Sequence, residues 1–271
     1  MKKYFFYLSM ALMAFVFASC GMGGNHTSSG RPYELLVVVD PGVWDRAAGR
    51  ALHDVLDSEM PGLPQPEASF RIMYTSSKDY NSTLKLVRNI IIVDIKDTFT
   101  KGSFKFAKDV YASPQLILTI QAPNEEEFEK FVTENKQVII DFFTRAEMNR
   151  QIISLEKKHS NYISARVDSL FGADIWIPSE LANYKTGKDF FWASTNKGAA
   201  DQNFVIYSYP YTDKDTFTKE YFVHKRDSFM KANIPGFKEG VYMSTDSLRT
   251  NVRPIRVHDK YALEARGLWR M

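Results

Sequence analysis

Apolar residues along this chain fall into continuous runs, helical stripes and alternating stretches, and each kind predicts a different element. The first run, Tyr4 to Ala18 (YFFYLSMALMAFVFA), is almost wholly apolar. It is too short to span a bilayer comfortably, because that takes about 20 apolar residues. Glu34 to Val39 (ELLVVV) is a β-branched apolar run suited to a strand buried on both faces. Asp40-Pro41 then reads as an N-cap followed by proline at the first helical position. Trp44, Ala47, Ala48, Ala51, Leu52, Val55 and Leu56 recur at helical spacing, and Pro61-Gly62 lies beyond that helix. Phe70 to Tyr74, Asn89 to Val93 and Leu116 to Ile120 read as further strands.

Asn124 followed by Glu125, Glu126 and Glu127 predicts a capped helix start, with acidic groups at the positive end of the helix dipole. Neither proline nor glycine follows until Gly172. An apolar face runs through Phe128, Phe131, Val132, Ile139, Phe142 and Phe143, and continues through Ile152, Leu155, Tyr162, Ile163, Val167 and Leu170. One helix over that span would be roughly 70 Å long at 1.5 Å per residue. A bend near Arg145 to Asn149, or a protruding arm, is therefore expected. The stripe reads most simply as core packing, with a partner helix as the alternative.

Beyond Gly172 the pattern turns to strands at Asp174 to Ile177, Asp189 to Ala193 and Asn203 to Tyr209. A helix follows over Phe217 to Ala232, then strands at Val241 to Ser244, Val252 to Val257 and Ala262 to Met271. Residues 35–74 and 203–244 share the order strand, turn, helix, Asp-Ser, Pro-Gly, strand. That echo suggests two related halves, although strand-turn-helix units are common enough for it to arise by chance. The fold class is α+β: two mixed α/β halves, with duplicated ferredoxin-like units as the candidate arrangement, and a long bridging helix. The divisions are 1–19, 20–32, 33–172 and 173–271. Met271 falls inside a strand-like run, so a final strand and helix beyond it are expected.

Charge changes the picture at the N-terminus. Lys2 and Lys3 precede the first apolar run, which ends in Phe17-Ala18-Ser19-Cys20. A positive start, an apolar core and small residues at a cut describe a secretory signal. The last four residues resemble a lipobox, with Phe17 in place of the usual leucine. That resemblance implies cleavage before Cys20, the sole cysteine, and its acylation. Gly21 to Pro32 is small, polar and glycine-rich, hence a flexible tether. It lacks an acidic run after the cysteine, which favours a periplasm-facing protein. Removal of residues 1–19 takes Lys2 and Lys3, leaving 33 basic against 32 acidic residues, so the formal charge falls from +3 to +1. A near-neutral chain offers no electrostatic footprint for nucleic acid. With one cysteine no intrachain disulfide can form.

The lipobox, the run Phe190-Phe191-Trp192-Ala193-Ser194-Thr195-Asn196 and the ending Ala265-Arg266-Gly267-Leu268-Trp269 resemble a Bacteroidetes lipoprotein family classified only as a domain of unknown function. The resemblance runs from about residue 30 to the end. It implies a location and a lineage, and it brings no activity, cofactor or catalytic residue.

Candidate chemistry is sparse. His26, His53, His159, His224 and His258 show no H-x-H or H-E-x-x-H spacing, so no metal site is read. There is no G-x-S-x-G elbow, P-loop or G-x-G-x-x-G. Asp94 with Asp97 and Asp213 with Asp215 read as turn and cap residues. No catalytic residue and no cofactor are therefore named. The binding candidates are Trp176, Trp192, Tyr207 and Tyr209, with Tyr211 beyond them, since flat rings stack on sugars. Alternation puts the three tyrosines on one face of a strand, which is a platform if solvated and core if the helix from Phe217 covers it. Asp168-Ser169-Leu170 and Asp246-Ser247-Leu248 resemble an acceptor pattern for periplasmic O-glycosylation, and Ser247 is the better candidate. The functional expectation is a lipid-anchored envelope interaction or assembly module without catalysis. Glycan binding and an unrecognised envelope hydrolase are the alternatives. The expected partners are the membrane, through the lipid, and an envelope protein or glycan.

Overall fold

The structure, a computed structural model, describes residues 26–60, 62–63, 65–198 and 201–270. Cys20, the apolar run before it and Met271 lie outside the described residues. The chain divides into two compact units, residues 1–57 with 70–144, and residues 58–69 with 145–271.

The first unit contains, in chain order, β1 (His26–Thr27), β2 (Glu34–Val38), α1 (Pro41–Trp44), α2 (Ala47–Leu56), β3 (Arg71–Thr75), β4 (Asn89–Ile95), β5 (Ser103–Lys108), β6 (Ala112–Ser113), β7 (Leu116–Ala122) and α3 (Glu125–Glu134). α4 (Lys136–Lys158) begins in this unit and ends in the second. The main sheet has the order β3-β2-β4-β7-β5, with every pairing parallel except that of the edge strand β5. The continuous apolar runs explain this architecture, because each of the central strands β2, β4 and β7 is covered on both sides. Leu35 and Val37 of β2 point into a cluster with Leu52, Val55 and Leu56 of α2, Phe128 and Val132 of α3, and Ile139 and Phe143 of α4. Leu36 and Val38, one residue out of phase, join Val87, Ile90 and Ile117 on the opposite face, under Tyr80 and Leu84. α3 starts where the capping pattern put it, with Asn124 Oδ1 accepting from the Glu127 N–H at 2.9 Å.

In the second unit α4 is followed by α5 (Asn161–Phe171), β8 (Asn183–Gly187), β9 (Phe190–Ser194), β10 (Asn203–Tyr207), α6 (Lys219–Asn233), β11 (Ser244–Thr245), β12 (Asn251–Val257), β13 (Lys260–Arg266) and β14 (Trp269–Arg270). β8, β9 and β10 form an antiparallel sheet with β9 in the centre. Its faces alternate along Phe190-Phe191-Trp192-Ala193. Phe191 and Ala193 pack with Ile163 and Val167 of α5. Phe190 and Trp192 pack with Phe229 and Met230 of α6. β12 and β13 form a separate hairpin, closed by His258 and Asp259 at positive φ.

The α+β class holds. The duplicated ferredoxin-like arrangement does not, because one unit carries a mostly parallel sheet and the other an antiparallel three-stranded sheet between two helices. The helical span breaks at Asn135 and at His159-Ser160, not near Arg145 to Asn149. The Asn135 amide turns back onto the Phe131 carbonyl at 2.8 Å, and Ser160 Oγ caps α5 by accepting from Ile163 N–H at 3.3 Å. Residues 145–149 contain no breaker, and a buried Glu147–Arg150 pair at 2.7 Å ties that turn together. Asp174 to Ile177 is extended without being a strand. Its backbone bonds go to helix ends instead, with Ser160 N–H donating to Ile177 O at 2.8 Å and Ile177 N–H to Ser164 Oγ at 3.2 Å. The sequence reading also passed over β5 and β8, and β8 (NYKTG) has no apolar alternation to find.

Candidate functional site

An open apolar groove lies along the second half of α4. Met148, Gln151, Ile152 and Leu155 stand at i, i+3, i+4 and i+7, which places them on one stripe. Pro178 and Glu180, from the segment after α5, form the opposite wall of a groove of about 570 Å³ that Ser154 and Lys158 complete. Met148 is 45 % exposed, Ile152 52 % and neighbouring Ile153 58 %. Large apolar groups in such a row point to a contact surface, because scattered single residues are ordinary but contiguous patches are not.

The wall is fixed rather than draped. Ser179 N–H donates to Lys158 O at 3.0 Å, and the Trp176 ring stacks on His159 with centroids 5.6 Å apart. Ile177 and Leu181 are buried beside Ile163 and Val167. The groove therefore has a preset shape, an apolar floor and a polar rim of Gln151, Ser154, Lys158 and Glu180. That arrangement suits an apolar ridge of another macromolecule, since the floor is apolar and the polar groups stand at the rim. Among the described residues no three His, Cys, Asp or Glu side chains are grouped to hold a metal ion.

Trp192, Tyr207 and Tyr209 share the face that α6 covers, whereas Trp176 lies beside His159. Tyr207 lies face to face with Phe229 of α6, with centroids 4.5 Å apart, and burial pushes its hydroxyl up to about 12. Tyr209 stacks on Tyr207, meets Tyr221, and has Lys225 Nζ 5.2 Å from its ring. Burial first, then Tyr221, raises its pKa. α6 thus covers the face that the tyrosines share. Trp192 is half-buried on that side, with its indole N–H donated to Asn203 Oδ1 at 2.8 Å. Trp176 is the more open ring, 38 % exposed, and Tyr211 is exposed against Phe217. Ser247 is exposed in a turn where Asp246 accepts from Arg249 N–H and from Arg270 Nη2.

Asp94 and Asp213 have structural partners. Asp94 accepts from Lys96 Nζ and from Gln121 Nε2, both at 2.8 Å. Burial opposes its ionisation, but those hydrogen bonds outweigh burial and leave its pKa below the ordinary value. Asp213 Oδ1 accepts from the Asp215 N–H at 2.9 Å, which is a cap.

Residues 28–156 match the family model of a domain of unknown function (DUF8532). Residues 160–271 match a second domain of unknown function (DUF4837). The two matches adjoin near the break between α4 and α5, so the expected classification as a domain of unknown function is found as two models. No curated protein and no solved structure matches the chain. Ile152 and Leu155 were visible in the sequence as part of an apolar stripe. Met148 was not singled out, and the opposing wall at Pro178 had no sequence signal.

Proposed function

We propose that this chain is a Bacteroidetes envelope lipoprotein, acylated on Cys20 and facing the periplasm, that works without catalysis by seating a partner protein in the groove along α4. The anchor is supported by the sequence from Lys2 to Cys20, with its basic start, apolar run and small residues at the cut. No helix among the described residues is long and apolar enough to cross a membrane. The observation that carries the binding function is the half-exposed pair Met148 and Ile152, on the stripe of α4 that lines the groove. Leaving such half-exposed side chains in water forgoes about half of the roughly 1.5–3 kcal/mol that full burial of each is worth, so an occupant gains from covering them.

The test is a photo-crosslinking residue at Ile152 in cells, with the same residue at exposed Leu248 as reference. One protein captured at Ile152, absent at Leu248 and lost when Met148 is changed to Glu, is the expected result. The same proteins at both positions would refute the groove. The anchor is tested separately, by whether Cys20→Ala moves the chain out of the membrane fraction.

Glycan binding is the second reading, favoured by the open face of Trp176. It requires that envelope polysaccharide quench tryptophan fluorescence and that Trp176→Ala abolish the change.

A further inference from the structure

The point where the N-terminal segment joins the first unit has a consequence for how that unit meets a membrane. β1 pairs with β6 in parallel, His26 opposite Ala112 and Thr27 opposite Ser113. Parallel partners run the same way, so the chain entering at His26 comes from the side on which Val110 and Tyr111 precede Ala112. Five residues, 21–25, lie between Cys20 and β1, so six Cα–Cα steps separate Cys20 from His26. Fully extended they reach at most about 21 Å. An acyl chain on Cys20 therefore holds His26 within that distance of the bilayer, with the Val110–Tyr111 tip beside it across one strand spacing of about 5 Å.

The tip has the composition of a membrane-contacting surface. Val110 is 49 % exposed and Tyr111 38 %, two large side chains side by side in a loop. Lys108 is exposed beside them, and Lys85 Nζ lies 5.3 Å from the Tyr111 ring and 5.6 Å from that of Tyr80. Aromatic rings flanked by lysine sit well at headgroup level, where the ring is partly desolvated and the ammonium meets phosphate. The neighbouring acid, Asp109, turns inward, with its Oδ1 accepting from Gln115 N–H at 2.7 Å. Buried Gln115 also receives the Tyr111 N–H on its side-chain oxygen at 3.0 Å. The loop is thus pinned from inside and presents its apolar tip outward.

We propose that the Val110–Tyr111 tip, flanked by Lys85 and Lys108, is the face on which the first unit rests against a bilayer containing anionic phospholipid. The proposal depends on the Cys20 anchor described above, so its test supplies the anchor chemically. The mature chain from Cys20, its only cysteine, is coupled to a maleimide lipid in vesicles of phosphatidylethanolamine and phosphatidylglycerol. A photo-crosslinking residue replaces Val110, or replaces exposed Asp97 beyond the far end of β4, a strand roughly 20 Å long. Lipid adducts at Val110 that are lost at Asp97 are the expected result. Equal labelling at the two positions, labelling that favours Asp97, or none at either would overturn the proposal. Exchanging phosphatidylglycerol for phosphatidylcholine is expected to lower the Val110 yield about fivefold or more, since one lysine near an anionic surface is worth roughly that factor. An unchanged yield would overturn the part assigned to the lysines. Whether cells acylate Cys20 is read independently, from the mass of the mature N-terminal peptide.

Discussion

Replacing Gln115 by Met removes three hydrogen bonds at almost constant volume. Its side-chain nitrogen donates to Lys85 O at 2.6 Å and Val87 O at 2.8 Å, and its oxygen accepts from Tyr111 N–H at 3.0 Å. The residue is 1 % exposed. Of the three backbone groups it satisfies, the Val87 carbonyl sits in the fully buried bond and bears the full desolvation cost, about 1–3 kcal/mol. Water can reach the other two more easily, so each is discounted to about half of that. Summed, these costs run from about 2 to about 6 kcal/mol, and the lower half of that range, about 3 kcal/mol, is expected because Met buries apolar area in place of the amide. Unfolding of a two-unit chain is not a single transition, so the suitable assay is hydrogen exchange of β4 and β7 peptides resolved by mass. A loss of about 3 kcal/mol corresponds to exchange about a hundredfold faster in those strands. A change below about threefold, or one confined to residues 109–115, would refute the reasoning, because it would mean that water replaces the lost bonds. Gln115→Glu adds a sign test. The introduced carboxylate would face two carbonyl oxygens, so its folded-state pKa is raised. Stability should then be worse at pH 7 than at pH 4, where the protonated acid can donate again.

Gly49→Ala should destabilise the first unit by more than the usual helix-propensity gain, because a Cβ there would collide with the backbone of Trp44; thermal melting followed through Trp44 checks it. Asp94 has a lowered folded-state pKa, so it adds stability above its unfolded value near 4 and loses it as pH falls through the lower folded value. Asp94→Asn should accordingly flatten the acid limb of a stability–pH curve and leave its slope above pH 6 unchanged. Ile152→Glu should shift stability by less than about 0.5 kcal/mol, since the side chain is half exposed, while abolishing the crosslinked partner. Phe143→Ala, by contrast, opens a hole in the first unit's core and should cost about 3–5 kcal/mol in the same exchange assay.

The sequence by itself determined the elements whose signal is local. ELLVVV, NIIIV and LILTI became central strands because an unbroken β-branched run is stable only when covered on both faces. Asn124 with its three glutamates became the start of α3 because the cap and the dipole act within one turn. Phe190 to Ala193 could be read as a strand, and its two faces do bury against two helices. Tertiary structure decided what depends on residues far apart. The sheet became 3-2-4-7-5 and not a ferredoxin-like meander, because strand order is set by which crossover helices can cover which face. The strand expected at Asp174 to Ile177 was lost to hydrogen bonds from Ser160 and Ser164, partners that no local pattern names. The α4 groove likewise needed Pro178 brought opposite Ile152, and the Val110–Tyr111 tip needed β1 laid beside β6. Periodicity records which side of an element is apolar, whereas the partner that covers that side, or leaves it open to solvent, is chosen only when distant segments pack.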